Sequence, residues 1–151
     1  MATAEERAYA AGLLDGDGSI YIRGPHGKPP HKSSYSICVC LGQDDIRPIF
    51  LLQRLWGGSI SPGPLRANGK CNSRWTLTAV SAARFIRDIL PFLISKREQA
   101  ILALELQDTK RKVGPWHPLD NTLLAKWAAI REKVASLNAQ YPGFYDQIGA
   151  N

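Results

Sequence analysis

Residues 10–18 read AAGLLDGDG and run directly into Ser19-Ile20-Tyr21-Ile22-Arg23, and no other stretch constrains the fold as strongly. Upstream, residues 3–14 are rich in Ala, Glu, Arg and Leu and contain no Pro, so they read as a helix entered at the N-cap candidate Thr3. Asp15, Gly16, Asp17 and Gly18 end that helix, the two glycines supplying permissive backbone, and Ile20 and Ile22 then alternate as strand residues do. Within the helix, Ala8, Ala11 and Gly12 lie three and four apart on one side and leave a nearly bare strip on which a second helix can pack closely. Two such helices crossing side by side bring two sets of aspartates and free helix-end carbonyls together. That cluster is negative from both its carboxylates and its helix dipoles, and it suits a hard divalent cation such as Mg²⁺.

The remaining chain supplies four strands and further helices. A loop over residues 24–32, broken by Pro and Gly, carries Lys28 and Lys32. Residues 34–41 alternate, with Ile37, Val39 and Leu41 on one face and Ser34, Ser36, Cys38 and Cys40 on the other. Residues 46–56 form a helix with the stripe Ile49, Phe50, Leu52 and Leu55, capped by Asp44 or Asp45 and stopped by Gly57-Gly58. A short strand at 59–61 and a loop bearing Arg66 and Lys70 lead to a strand at 74–80, where Trp75, Leu77 and Ala79 alternate with Arg74, Thr76 and Thr78. Ser81 caps a helix to residue 90, Pro91 breaks it, and Ser95 with Glu98 fits the capping box of a helix reaching 112. After a loop at 113–121, a last helix at 122–138 carries the core candidates Trp127, Ile130, Val134 and Leu137, while Trp116 and residues 141–145 pack a loop and tail. The class is α+β: an αββαββα order with a four-stranded antiparallel sheet and extra C-terminal helices.

The polar strand face collects Tyr21, Arg23, Ser34, Ser36, Cys38, Cys40, Ser59, Ser61, Arg74, Thr76 and Thr78, small, polar or basic side chains without one Asp or Glu. With helices covering the other face, such a sheet is a saddle suited to the major groove of DNA, with Lys28, Lys32, Arg66 and Lys70 on the flanking loops. The net charge of +6, from 19 Lys and Arg against 13 Asp and Glu, suits the same polyanionic partner. With 151 residues and 44% hydrophobic content, the chain is read as one folded domain over 1–151. No apolar run approaches the roughly 20 residues of a membrane span, and the N-terminus MATAEERAYA lacks the order of a signal peptide, so an intracellular location is expected, in cytoplasm, nucleoid or organelle. Cys38, Cys40 and Cys71, with scattered His26, His31 and His117, form no zinc pattern and are read as free thiols.

Residues 10–18 resemble the motif of the LAGLIDADG homing endonucleases. Ala11, Gly12, Leu13, Asp15, Asp17 and Gly18 agree, Leu14 is conservative for Ile, and Ala10 and Gly16 stand where the motif has Leu and Ala. Set beside single-motif members, the resemblance covers nearly the whole chain: Gln43 and Arg47 sit in a Q-x-x-x-R arrangement, and Lys96 lies in PFLISKREQA, similar to the family's segment after the helix-breaking proline. The resemblance implies a catalytic set of Asp17, Gln43, Arg47 and Lys96, and a metal held by Asp17 with the Gly16 carbonyl. Asp15 would brace the helix end and join Ala8, Ala11 and Gly12 at a dimer interface. Residues 101–108, ILALELQD, lack the Gly-Asp-Gly ending, so the motif occurs once and a symmetric homodimer is implied. Two-fold symmetry in turn implies a near-palindromic double-stranded DNA site, and the resemblance implies that the site is long and is cut across the minor groove to leave short 3′ overhangs. The expectation is an intron-encoded, Mg²⁺-dependent homing endonuclease. The alternative is a non-catalytic RNA maturase bound to its host intron, or a DNA-binding regulator.

Overall fold

Helix α1, Ala4–Asp17, opens on Thr3, whose hydroxyl accepts from the Glu6 N–H while the Glu6 carboxylate accepts from the Thr3 N–H at 2.9 Å, closing a capping box. The computed structural model describes residues 1–26, 34–113 and 120–139. In it, α1 continues three residues past the expected end at Leu14, and its C-cap Gly18 is extended, with φ −99°. Glycine is required at 18 for room, because a Cβ there would stand 3.0 Å from Leu14 Cα and 3.1 Å from the Leu14 carbonyl oxygen and would collide with the leucine side chain. The motif helix therefore passes straight into β1, Gly18–His26.

The remaining elements are β2 (Ser34–Gln43), α2 (Ile46–Trp56), β3 (Ser59–Pro62), β4 (Ser73–Thr78), α3 (Ala79–Ile89), a 3₁₀ turn (Leu90–Phe92), α4 (Arg97–Val113) and α5 (Asn121–Ala139). All strand pairs are antiparallel in the order β1-β2-β4-β3, so the αββαββα reading with appended helices holds. The two-residue period turns Ile20, Ile22, Ile37, Val39, Leu41, Trp75 and Leu77 to one face, where all are buried. Ala10, Ala11 and Leu14 of α1, Ile49 and Leu52 of α2, and Ile86 and Ile89 of α3 close that core. Phe85 stands edge-on to both Trp56 and Trp75, with ring centroids 5.1 and 5.0 Å away. Truncating Phe85 to Ala would cost about 3–5 kcal/mol.

Several boundaries differ from the sequence expectation for packing reasons. In α2 the buried residues are Ile49, Leu52 and Trp56, and Phe50 is exposed. β4 stops at Thr78 and the chain enters α3 through Ala79 at φ +50°. The helical spacing of Ala82, Ala83, Phe85, Ile86 and Ile89, all buried, outweighs the alternation that ran on to Ala79. α4 begins after Lys96, whose carbonyl accepts the Ala100 N–H at 3.0 Å, and Glu98 pairs with Lys133 at 3.3 Å. In α5, Trp127, Ile130 and Val134 are buried as expected and Leu137 is half-buried. That helix guards the outer strand of the sheet: Asn138 Nδ2 donates to the Ile20 carbonyl of β1 at 2.8 Å. The Lys110 ammonium donates to the Tyr35 carbonyl of β2, and burial pushes its pKa below the usual lysine range. Trp116, residues 141–145, His31 and His117 lie outside the described residues. Among the described residues no helix is long and apolar enough to cross a membrane.

Candidate functional site

Asp17 closes the motif helix and Gln43 closes β2, and the Gln43 amide Nε2 donates to Asp17 Oδ2 at 2.7 Å. The two ends meet because β1 leaves α1 without a loop and pairs Gly18 with Leu41, two residues short of Gln43. Asp15 faces another way. Its carboxylate accepts the Ile94 N–H at 2.8 Å and the Lys96 N–H at 2.9 Å, and Lys96 Nζ donates to the Asp15 carbonyl at 2.6 Å. Lys96, only 3% exposed, thus sits at the negative end of the α1 dipole. Arg47 is not drawn into this group. Its guanidinium chelates the carboxylate of Asp45, the α2 N-cap, through Nε at 2.9 and 3.0 Å, and its Nη2 lies 2.5 Å from the same group. The hydrogen bonds from Arg47 hold the Asp45 carboxyl down to about 2.

Ala8, Gly12 and Gly16, spaced by four, lie exposed along α1 beside the exposed Tyr9, and a Cβ at either glycine would meet nothing within 4 Å. Ala11, expected on this strip, is fully buried in the core, because it lies one residue or about 100° around the helix from Gly12. Asp15, also expected at the interface, is engaged by the Ile94–Lys96 backbone of its own chain. Among the described residues no three His, Cys, Asp or Glu side chains gather at one point. At the end of α1 the exposed Asp17 carboxylate, its Oδ2 accepting from Gln43, follows the helix-end carbonyl of Gly16 in the chain. These are hard oxygen donors of the kind Mg²⁺ takes.

The outward sheet face is laid out by the strand registers. Ser59, Thr76, Cys40 and Ser19 form one row across all four strands, Thr78, Cys38 and Tyr21 the next, then Ser36 with Arg23. Ser61 and Arg74 are paired at the end nearest Asp17. Ser34 begins β2 opposite His26. By strand register Tyr21, Arg23, Ser36, Cys40, Ser59, Ser61, Arg74, Thr76 and Thr78 fall on this face, Cys38 shares their parity without being exposed, and Lys28 and Lys32 lie outside the described residues. Cys38 is fully buried beneath this face, and burial raises its thiol pKa. Arg66, exposed on the β3–β4 connection, donates to Asp44 at 2.8 Å, and the Lys70 N–H donates to Asn68 Oδ1 at 3.1 Å in the same turn. Arg66, Arg74, Asp17, Ser19 and Asn72 line one polar depression. Ser19 and Asn72 escaped the sequence reading: Ser19 shares the parity of Tyr21 and Arg23, and Asn72 shares that of Arg74 from just outside the expected strand.

No protein-family model and no curated protein matches the chain. Solved structures do. A crystal structure of the homing endonuclease I-CvuI with the I-CreI target and 2 mM Mg, its DNA not cleaved, superposes with a TM-score of 0.70 at 23% identity over 92% of this chain and 85% of that one. The archaeal intron-encoded homing endonuclease I-Vdi141I, complexed with DNA, gives 0.72 at 13% identity over 93% and 87%. The LAGLIDADG homing endonuclease I-SmaMI, bound to cleaved DNA, gives 0.58 at 21% identity, covering 93% of this chain but 50% of the longer one. A helix-capped, four-stranded antiparallel saddle with an acidic motif helix at its edge is the class these observations define. The fold is that of the LAGLIDADG homing endonucleases.

Proposed function

We propose that the protein is a homodimeric, site-specific double-stranded DNA endonuclease of the intron-encoded homing type, hydrolysing phosphodiesters with Mg²⁺ at a long near-palindromic site to leave short 3′ overhangs. The observation that carries this reading is the Gln43–Asp17 hydrogen bond at the edge of an outward sheet face without acidic residues. DNA-bound I-CvuI, I-Vdi141I and I-SmaMI share the fold, which supports the same partner for this chain. The dimer is supported by the side-chain-free strip at Gly12 and Gly16 and by the match to half of I-SmaMI.

Asp17 and the Gly16 carbonyl would hold the divalent cation, which when bound supplies activation of water and charge neutralisation at phosphorus. The Gln43 amide fixes the rotamer of Asp17 and keeps its carbonyl oxygen free to accept from a water. The Lys96 ammonium, held on the Asp15 carbonyl at the helix end, would add fixed positive charge against the negative charge that develops at phosphorus. Arg47 serves the same end only after its guanidinium leaves Asp45 for a phosphate. The polar sheet face sets the register along the groove while Arg23, Arg66, Lys70 and Arg74 neutralise phosphates, so binding should weaken steeply with salt.

Cleavage of a randomised duplex library by the purified protein, with Mg²⁺ or with chelator and with Asp17→Asn alongside, tests the reading. Cuts at one near-palindromic sequence that need both Mg²⁺ and Asp17 are expected. Binding enrichment without cutting, or cutting that survives Asp17→Asn, would overturn it.

A further inference from the structure

We infer that Asn72 is a base-reading residue whose side-chain amide, seated across Gly42 and Gly63, recognises an adenine next to the cleavage centre. This inference rests on the endonuclease reading above.

Asn72 lies one residue before β4, and its carbonyl accepts the Gly63 N–H at 2.8 Å, continuing the β3–β4 ladder one pair beyond Pro62 and Ser73. By strand parity it faces outward with Arg74 and Thr76. Its side chain does not stand up from the sheet but lies across its neighbours. A Cβ at Gly42 on β2 would come within 2.5 Å of Asn72 Nδ2, and a Cβ at Gly63 would overlap Oδ1 and stand 3.0 Å from Cγ. Neither glycine has the positive φ that would explain its identity through the backbone. Their shared effect is to leave a floor into which the amide fits.

Among the described residues no hydrogen bond uses this amide, and it lines the polar depression with Asp17, Ser19, Arg66 and Arg74. The Asn72 amide, lying across the two glycines at this depression, offers one donor and one acceptor side by side. That pair matches the N6 donor and N7 acceptor of adenine in the major groove, and no other base edge presents both in that spacing. The confinement matters as much as the chemistry. A side chain already fixed by two backbone surfaces loses little rotamer freedom on contact, so its discrimination is not spent on ordering.

The test is selection of bound and cleaved duplexes from a randomised library by the wild-type protein, Asn72→Ala, Asn72→Gln and Gly63→Ala, with the base profile read by sequencing. The wild-type protein is expected to demand adenine at one position per half-site. Asn72→Ala should lower that preference about tenfold or more and leave the other positions unchanged. Gly63→Ala should relax the same position while keeping Asn72, because its methyl group displaces the amide, and Asn72→Gln should not restore it. An unchanged profile in Asn72→Ala, a position whose wild-type base is not adenine, or full adenine preference in Gly63→Ala would each overturn the inference. A wild-type protein that selects and cuts one site while Asn72→Ala keeps its profile removes this inference alone. A wild-type protein that neither binds nor cuts duplex removes the endonuclease reading, and this one with it.

Discussion

Lys96 and Asp15 hold one another in both directions across 81 positions of chain: the lysine's ammonium donates to the aspartate's carbonyl at 2.6 Å, and the aspartate's carboxylate accepts the lysine's own N–H at 2.9 Å. The clasp ties the end of α1 to the entry of α4 and separates the two motif aspartates by task. Asp15 is consumed by the Ile94–Lys96 backbone, and Asp17, two residues on and rotated by about 200°, is exposed with its Oδ2 accepting from Gln43.

Asp15→Ala should therefore be a stability variant more than an activity variant. It strands the Ile94 and Lys96 N–H groups and is expected to cost about 1–3 kcal/mol in urea unfolding. Asp15→Asn keeps one acceptor oxygen and should lose less. Equal losses in both variants would show that one of the two hydrogen bonds contributes nothing.

The three glycines of the motif should respond with different signs. Gly18→Ala collides with Leu14 and is expected to destabilise by about 1–3 kcal/mol. Gly12→Ala and Gly16→Ala place methyl groups in open space and should stabilise the isolated helix by up to ~1 kcal/mol while weakening self-association. Urea titrations paired with sedimentation equilibrium separate the two effects. Association unchanged by Gly12→Leu would remove this strip from the dimer interface.

Gln43→Ala leaves the Asp17 carboxylate in place without the partner that orients it. Turnover on the selected duplex should fall on the order of 10²-fold with DNA affinity nearly unchanged, since misplacement of a reacting group costs about that much. Single-turnover cleavage beside filter binding measures both, and a parallel loss of affinity would reassign Gln43 to DNA contact.

Asp45 titrates at about 2 in the folded chain against 3.8 when unpaired, because Arg47 hydrogen-bonds its charged form. Its folded carboxyl is the stronger acid, so its stabilising contribution is complete above a pH of about 4 and is lost as the pH falls toward about 2. Asp45→Asn retains the N-cap and lacks the titration. The difference in Tm between wild type and this variant should shrink across that window; a constant difference would mean the ion pair adds nothing.

The thiols should alkylate in the order of their access. Cys71 is exposed, Cys40 half-buried, and Cys38 fully buried with a raised pKa. Iodoacetamide labelling followed by mass spectrometry should modify Cys71 first and Cys38 last, and early labelling of Cys38 would contradict the packing of the sheet face.

How much of this was legible in advance depends on range. The strands could be read from alternation because inward and outward residues differ in kind, as Ile37, Val39 and Leu41 differ from Ser36 and Cys40. α2 could be placed from its cap and its two terminal glycines. The local pattern could not tell which side of α1 the small residues would serve. Ala8, Ala11 and Gly12 look alike as a bare strip, yet Ala11 faces the core and the free strip continues instead to Gly16. The helix end was misjudged for a related reason: Gly18 omits a side chain against Leu14 rather than turning the backbone, and Gly16 lies inside the helix facing open space.

The sequence by itself determined the αββαββα order, the polar character of one sheet face and the residues of the motif, because those follow from periodicity and residue type within a few positions. Only the tertiary structure decided that Gln43 meets Asp17 while Arg47 turns to Asp45, that Asp15 closes on Lys96, and that Asn72 lies in a glycine-floored seat. Each of these is a contact between side chains whose meeting depends on strand register and helix rotation, quantities that arise from packing the whole core and that no single stretch of chain encodes.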